Sequence, residues 1–169
     1  VLFLSVGCIH SQSNTNDMDN SKRKIWFSGE SNVACSITEI NKSAEDMGKH
    51  FHGIVSLMPG LSTVDLVDQG EDFVTIKTNE GIMRRTNIVV ETSDDKTTIE
   101  FDEEYQAGKA VTTNSHMRHI FTSNGSTVDH QFEISNLKAP GFMGFFYRNF
   151  ASKSIGNAFL DSYKTYFAQ

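Results

Sequence analysis

The amino-acid sequence predicts an α+β domain over residues 24–169, with a curved antiparallel sheet of about seven strands and a long C-terminal helix over a cavity. Between residues 61 and 136 there is no proline, and apolar-rich runs alternate with short turn clusters. Short connections favour antiparallel neighbours, because a parallel pair needs a crossover of about a dozen residues. After Pro140, apolar residues recur at helical spacing, so this last segment is expected to cover one face of the sheet.

The predicted order is one strand, two short helices, six strands and one long helix. Residues 24–33 form the first strand, with Ile25 and Phe27 on one face and Trp26 on the other. Ser36 or Thr38 is expected to cap the helical region, and Gly48 and Gly53 to break it in two. The remaining strands are predicted at 61–68, 72–78, 82–91, 97–105, 110–122 and 127–135, and the long helix at about 145–167.

Residues 1–23 are expected to be the end of a signal peptide followed by a polar tether. An apolar run ends at Gly7-Cys8, which resembles the lipidation box of bacterial lipoproteins, and a stretch rich in Ser, Asn and Asp follows. Cys8 would then be lipidated and would tether the domain to the membrane of a bacterial envelope. The alternative is an ordinary export signal and a periplasmic or secreted protein.

Composition argues against several classes of function. The chain has 15 basic and 21 acidic residues, a net charge of −6, and no long basic cluster, so nucleic-acid binding is not expected. The sequence lacks the spacing of Cys and His residues that would predict a zinc site. It also has no glycine-rich phosphate-binding loop and no nucleophile motif. No cofactor is predicted.

The dipeptide Asn124-Gly125 predicts a two-residue type I′ hairpin loop. That loop would place His119 directly opposite His130, on a face shared with apolar residues. Three interpretations of the two histidines remain open: metal ligands, acid/base catalysts, or polar groups that bond a ligand, a water molecule or each other. The predicted cavity lining comprises Phe27, Phe101, Tyr105, Met117, His119, Phe121, His130, Phe132, Phe159 and Tyr163. The Phe/Met-rich residues 142–146 are expected to belong to the core.

The chain resembles a known superfamily in the order of its elements and in two short motifs, Phe27-Ser28-Gly29-Glu30 and Pro59-Gly60. The chain resembles START-like (SRPBCC) proteins with the helix-grip fold, which include polyketide cyclases and lipid-transfer domains, and is similar to the carbon monoxide dehydrogenase G-subunit family. The resemblance implies a cavity for a hydrophobic small molecule or lipid. Members range from carriers to enzymes, so a carrier, a cyclase- or dehydratase-like enzyme using the cavity histidines, and a protein-interaction module are all compatible with it.

Overall fold

The computed structural model describes residues 23–108, 111–141 and 151–169. In this part of the chain, seven strands form one curved antiparallel sheet in the order β1-β7-β6-β5-β4-β3-β2, which confirms the predicted α+β class. The elements are β1 Ile25–Val33, α1 Ile37–Ala44, α2 Met47–Val55, β2 Val64–Gln69, β3 Val74–Thr78, β4 Gly81–Thr92, β5 Lys96–Ala107, β6 Val111–Asn124, β7 Thr127–Lys138 and α3 Ser152–Phe167.

The two short helices are separated by a capping residue and not by glycine. Ser36, one of the two predicted caps, forms a capping box with Glu39 at the start of α1, in which each side chain bonds the other's backbone N–H. The chain then breaks before α2, where the Asp46 carboxylate accepts a hydrogen bond from the Lys49 N–H at 3.0 Å. The prediction that Gly48 and Gly53 break the helices was therefore wrong: both lie inside α2. There they allow close packing, because a Cβ at either position would overlap side chains of β2 or α3.

The first strand contains a β-bulge that turns Trp26 inward. Ile25 pairs with Ser135, but Phe27 pairs with Ile134, so β1 holds one extra residue against β7. The bulge leaves Ile25 half exposed and brings Trp26 to the inner side of the sheet. The predicted faces of these two residues were wrong, because strict alternation holds only in a regular ladder.

The final helix covers the inner face of the sheet with the predicted stripe. Phe159, Ser162 and Tyr163 are buried, whereas Lys153 and Asp161 are exposed. Phe159 reaches Phe132 of β7, with ring centroids 5.4 Å apart. Residues 142–150, which include the whole predicted Phe/Met-rich segment 142–146 and the predicted start of this helix, lie outside the described residues. The described helices include none that is long and apolar enough to cross a membrane.

Two glycines form the niche that seats Phe27 between β1 and α3. A Cβ at Gly29 would lie 2.7 Å from the tip of the Phe27 ring, and a Cβ at Gly156 would overlap the same ring. Phe27 is 7% exposed and also contacts Phe132 at a centroid distance of 5.8 Å. Since the ring is held from both sides, the distance between β1 and α3 depends on the absence of these two side chains.

We expect Gly156→Ala to lower the free energy of unfolding by about 1 kcal/mol, although alanine is the better helix former. Overpacking costs about 1–3 kcal/mol and exceeds the gain of about 1 kcal/mol in helix propensity. Urea unfolding of Gly156→Ala, Phe27→Leu and the double variant measures the coupling, and the smaller leucine side chain should recover part of the loss. Ser154→Ala, on the exposed face of α3, is the control. Equal stability of Gly156→Ala and Ser154→Ala would contradict the niche.

Candidate functional site

A cavity of about 260 Å³ lies between the inner face of the sheet, the connection from α2 to β2, and α3. Most of its wall is apolar and includes Trp26, Leu61, Met83, Met117, Ile134 and Phe159. These apolar side chains come from distant parts of the sequence, so the cavity exists only when the sheet has curved around the helix.

A polar patch, formed by Glu103, Tyr105, Thr113 and Ser115, occupies one part of the cavity wall. The residues are neighbours because β5 and β6 pair in a regular register, with Glu103 opposite Ser115 and Tyr105 opposite Thr113. They share the inner face because Glu103 and Tyr105 on β5, and Thr113 and Ser115 on β6, are two positions apart, with one residue between them. The patch therefore offers one carboxylate and three hydroxyl groups beside an apolar surface.

The Glu103 carboxylate is held by a buried arginine. Arg85 Nε donates to Glu103 Oε2 at 2.9 Å, and the two side chains are 1% and 8% exposed. The guanidinium carbon lies 4.3 Å from the ring centroid of Phe51 and 4.9 Å from that of Phe101, in cation–π geometry. Neither Arg85 nor Glu103 was predicted as a site residue. Their positions in the sequence could have indicated the pair, because both side chains point inward from neighbouring strands and carry opposite charges.

The hairpin loop between β6 and β7 is Gly125-Ser126, and not the predicted Asn124-Gly125. Asn124 pairs with Thr127, so His119 faces Phe132 and His130 faces Phe121. Gly125 has φ +67° at the first central position, which is the requirement of a type II′ turn, while the Asn124 amide donates to Asp129 Oδ2 at 3.0 Å. The prediction of direct opposition was wrong. The predicted shared face is confirmed, since a shift of two residues leaves the side-chain direction unchanged.

One hydrogen bond joins the two histidines inside the packed core. His119 Nδ1 and His130 Nε2 are 3.0 Å apart, and both residues are at most 1% exposed. The rings stack on phenylalanine, with His119 4.3 Å from Phe132 and His130 4.4 Å from Phe121 between centroids. Of the three interpretations, the geometry supports mutual hydrogen bonding.

A third histidine, His50, joins the same buried cluster from α2 and was not predicted. Its Nδ1 lies 2.8 Å from Ser43 Oγ, and its Nε2 lies 3.0 Å from the hydroxyl oxygen of Tyr163. The Tyr163 ring also packs against both His119 and His130, with centroids 4.9 Å and 4.7 Å away. Tyr163 thus links the three histidines.

Burial keeps these histidines uncharged. Desolvation, aided by the nearby Arg85 charge, lowers the pKa of His50 to about 3. Desolvation, with a smaller contribution from His50, lowers the pKa of His130 to about 3. For His119, desolvation together with its neighbours His130 and Arg85 holds the pKa well below the usual value. Burial also raises the pKa of the Tyr163 hydroxyl. The cluster is therefore a neutral hydrogen-bonded core at physiological pH.

A wider groove of about 970 Å³ lies on the outer face of the sheet. Its charged side chains pair mainly with one another: Glu100 contacts Arg23, His116 and Arg118 at 2.9–3.2 Å. His116 also contacts Asp102 at 2.9 Å. This groove is the larger of the two, but many of its charged side chains already pair with one another, whereas the inner cavity is a mostly apolar space. The inner cavity is the stronger candidate for a ligand site.

Within the described residues, no group of three His, Cys, Asp or Glu side chains could hold a metal ion.

Comparison with known proteins gives similar structures but no similar sequences. No family model and no curated protein matches the chain. A hypothetical protein from Helicobacter pylori is 12% identical, with a TM-score of 0.58 over 98% of this chain and 99% of that chain. A START superfamily protein from Mycobacterium smegmatis is 13% identical, with a TM-score of 0.56 over 85% and 97%. A STAR-related lipid transfer protein from Xanthomonas axonopodis is 12% identical, with a TM-score of 0.53 over 84% and 85%.

The fold is START-like. This agrees with the predicted helix-grip architecture, and at such low identity the likeness concerns the fold alone. In this START-like chain, Tyr105, Met117 and Phe159 of the ten predicted lining residues lie on the cavity wall. The other seven are packed in the core beside it: Phe27, Phe101, His119, Phe121, His130, Phe132 and Tyr163. Alternation along a strand identifies an inward side chain but does not show whether the space in front of it is filled. Cys8 lies outside the described residues.

We expect the free energy of unfolding to fall as the pH drops below about 6.5. The three buried histidines stay neutral in the folded state, whereas in the unfolded chain each binds a proton near its usual pKa of 6.5. Their stabilising contribution is complete above that value and is lost with decreasing pH, by about 1.4 kcal/mol per pH unit for each histidine. Urea unfolding between pH 7 and about pH 5.5, where carboxylates with ordinary pKa values remain mostly ionised, measures this effect. His119→Phe should reduce the slope by about a third, and an unchanged slope would contradict it.

Proposed function

We propose that this chain binds a small hydrophobic molecule in the inner cavity. The supporting observation is the cavity itself: an apolar space of about 260 Å³ beside a densely packed core, with a polar patch confined to one part of its wall. Apolar cavities with a few convergent polar groups are the usual form of small-molecule sites. The fold shared with a STAR-related lipid transfer protein is consistent with this proposal.

The volume of the cavity restricts the size of the occupant. An engineered apolar cavity of about 150 Å³ in another protein holds benzene, whereas sites for drug-sized ligands span about 300–1,000 Å³. A volume of about 260 Å³ lies between these values. The proposed ligand therefore has one or two rings, or a short aliphatic body, and is much smaller than a two-chain lipid.

The geometry does not favour the enzymatic alternative. A cyclase- or dehydratase-like reaction at His119 or His130 would need an opening through which a ligand reaches their rings. Both rings are buried, bonded to each other and absent from the cavity wall. The interaction-module alternative assumes a filled cavity, whereas space remains here. Ligand binding without chemistry on the ligand fits both observations.

A cavity-filling substitution tests the proposal. We expect naphthalene to bind the wild-type protein, as measured by isothermal titration calorimetry and by a rise in melting temperature. Leu61→Trp should abolish this binding, because Leu61 lies on the cavity wall and an indole would occupy the space. Leu66→Trp makes the same change on exposed β2, away from the cavity, and should leave binding intact. Equal binding by both variants would contradict the proposed site. Mass spectrometry of natively purified wild-type protein should also detect a co-purified apolar compound that is missing from Leu61→Trp.

We also propose that Cys8 is lipidated and tethers the domain to a bacterial envelope membrane. Its support is the sequence pattern of an apolar run, Gly7-Cys8 and a polar stretch. If several acyl chains are attached, anchoring should be firm, since a single chain binds membranes only marginally. We expect Cys8→Ala, expressed from the full precursor, to move the protein from the membrane fraction to the soluble fraction. Cys35→Ala, a buried cysteine in the folded domain, is the matched control. An unchanged distribution of Cys8→Ala would leave only an export signal.

A further inference from the structure

The charged side chains on the described part of the cavity wall are of one sign. Among the described residues that line the cavity, the charged side chains are Glu80 and Glu103, and both are acidic. Glu80 is exposed at the rim, whereas Glu103 is buried and belongs to the polar patch. An ionised carboxylate only accepts hydrogen bonds. The wall therefore presents its strongest polar group as an acceptor.

Arg85 fixes the Glu103 carboxylate and neutralises its charge. The guanidinium lies among the rings of Phe51, Phe101 and Phe159, at 4.3, 4.9 and 5.7 Å from their centroids, and its Nε is bonded to Glu103. It is not part of the cavity wall. An anionic ligand would thus meet the Glu103 carboxylate first, and an ammonium group would enter a site whose negative charge is already paired. Burial of either charge without a partner is costly.

The hydroxyl groups of the patch complement this acceptor. Ser115 stands directly across the β5–β6 ladder from Glu103, and Thr113 stands across from Tyr105. A hydroxyl both donates and accepts, so a ligand hydroxyl that donates to Glu103 can accept from a neighbouring Ser or Thr side chain. The rest of the wall is mostly apolar, includes Trp26 and Phe159, and would contact the apolar part of the ligand.

We propose that the occupant is an uncharged molecule of one or two rings carrying a hydroxyl group, a phenol or small cyclic alcohol, which donates its hydrogen bond to Glu103. This specificity rests on the proposed function and adds a ligand class to it. The same patch rejects carboxylates of equal size, including short fatty acids and aromatic acids.

Three ligands with the same ring system test the ligand class. Isothermal titration calorimetry at pH 7 compares β-naphthol, naphthalene and β-naphthoate on the wild-type chain. We expect β-naphthol to bind about tenfold more tightly than naphthalene, the effect of one hydrogen bond to a charged buried partner. β-Naphthoate should bind more weakly than naphthalene.

Adjacent ion pairs on opposite faces of the sheet supply a matched control. Removing Glu103 alone leaves the Arg85 charge buried and unpaired, which is strongly destabilising. The double variant Arg85→Leu/Glu103→Leu removes both charges and should retain the fold, as checked by its unfolding transition. Arg84→Leu/Glu104→Leu makes the same change one residue away, in a pair that is 43% exposed on the outer face. The preference for β-naphthol over naphthalene should disappear in the first variant and persist in the second.

The outcomes separate the ligand class from the binding function. Equal affinities for naphthalene and β-naphthol in the wild type would overturn the hydroxyl assignment while leaving a hydrophobic site. Tightest binding of β-naphthoate, or an undiminished β-naphthol preference in Arg85→Leu/Glu103→Leu, would overturn it as well. Failure of both naphthalene and β-naphthol to bind the wild type would contradict the proposed function itself.

Discussion

The buried ion pair of Arg85 and Glu103 lies at the boundary between two halves of the inner sheet face. On one side, Phe101 and His119 continue β5 and β6 into solid packing under α3; on the other, Tyr105 and Thr113 line open space. An ion pair in this place needs compensation, because desolvation of two charges consumes much of their attraction. The surrounding rings provide part of it through cation–π contact with the guanidinium. The same contacts hold the carboxylate at the cavity wall, so the packing of the core fixes the chemistry of the site.

In the packed half of the inner sheet face, beneath α3, polar side chains form part of the core. Three histidines and Tyr163 lie among phenylalanine rings. Hydrogen bonds join His50 to Ser43 and Tyr163, and His119 to His130, whereas His130 Nδ1 has no partner within the described residues. Uncharged imidazoles stack on aromatic rings as flat apolar surfaces would, while their hydrogen bonds fix their orientation. The consequence is a core whose stability depends on protonation. His50, His119 and His130 belong to this core and are not part of the cavity wall.

The START-like fold and the proposed function stand on different observations. The fold follows from strand order, antiparallel pairing and the long helix, and proteins that share only 12–13% of their residues with this chain adopt it too. One scaffold can host carriers and enzymes, so function has to be argued from the site. Here the site is a small apolar cavity with a paired carboxylate and hydroxyl groups, which suits the recognition of a small ligand.

The sequence by itself determined the features that depend on local pattern. The absence of proline between residues 61 and 136, the turn clusters and the helical stripe predicted the antiparallel sheet and the covering helix, and strand alternation placed His119 and His130 on one face. Tertiary structure decided the rest. The bulge at Trp26 and the Gly125-Ser126 loop are choices among locally acceptable geometries, and strand pairing in the folded sheet decides between them. Whether an inward side chain meets a neighbour or a cavity depends on the size of every side chain opposite it. Strand alternation shows which face a side chain occupies but not how much space lies in front of it. Phe132 and Met117 are both predicted to face inward, and only the folded chain shows that Phe132 is packed in the core whereas Met117 lines the cavity.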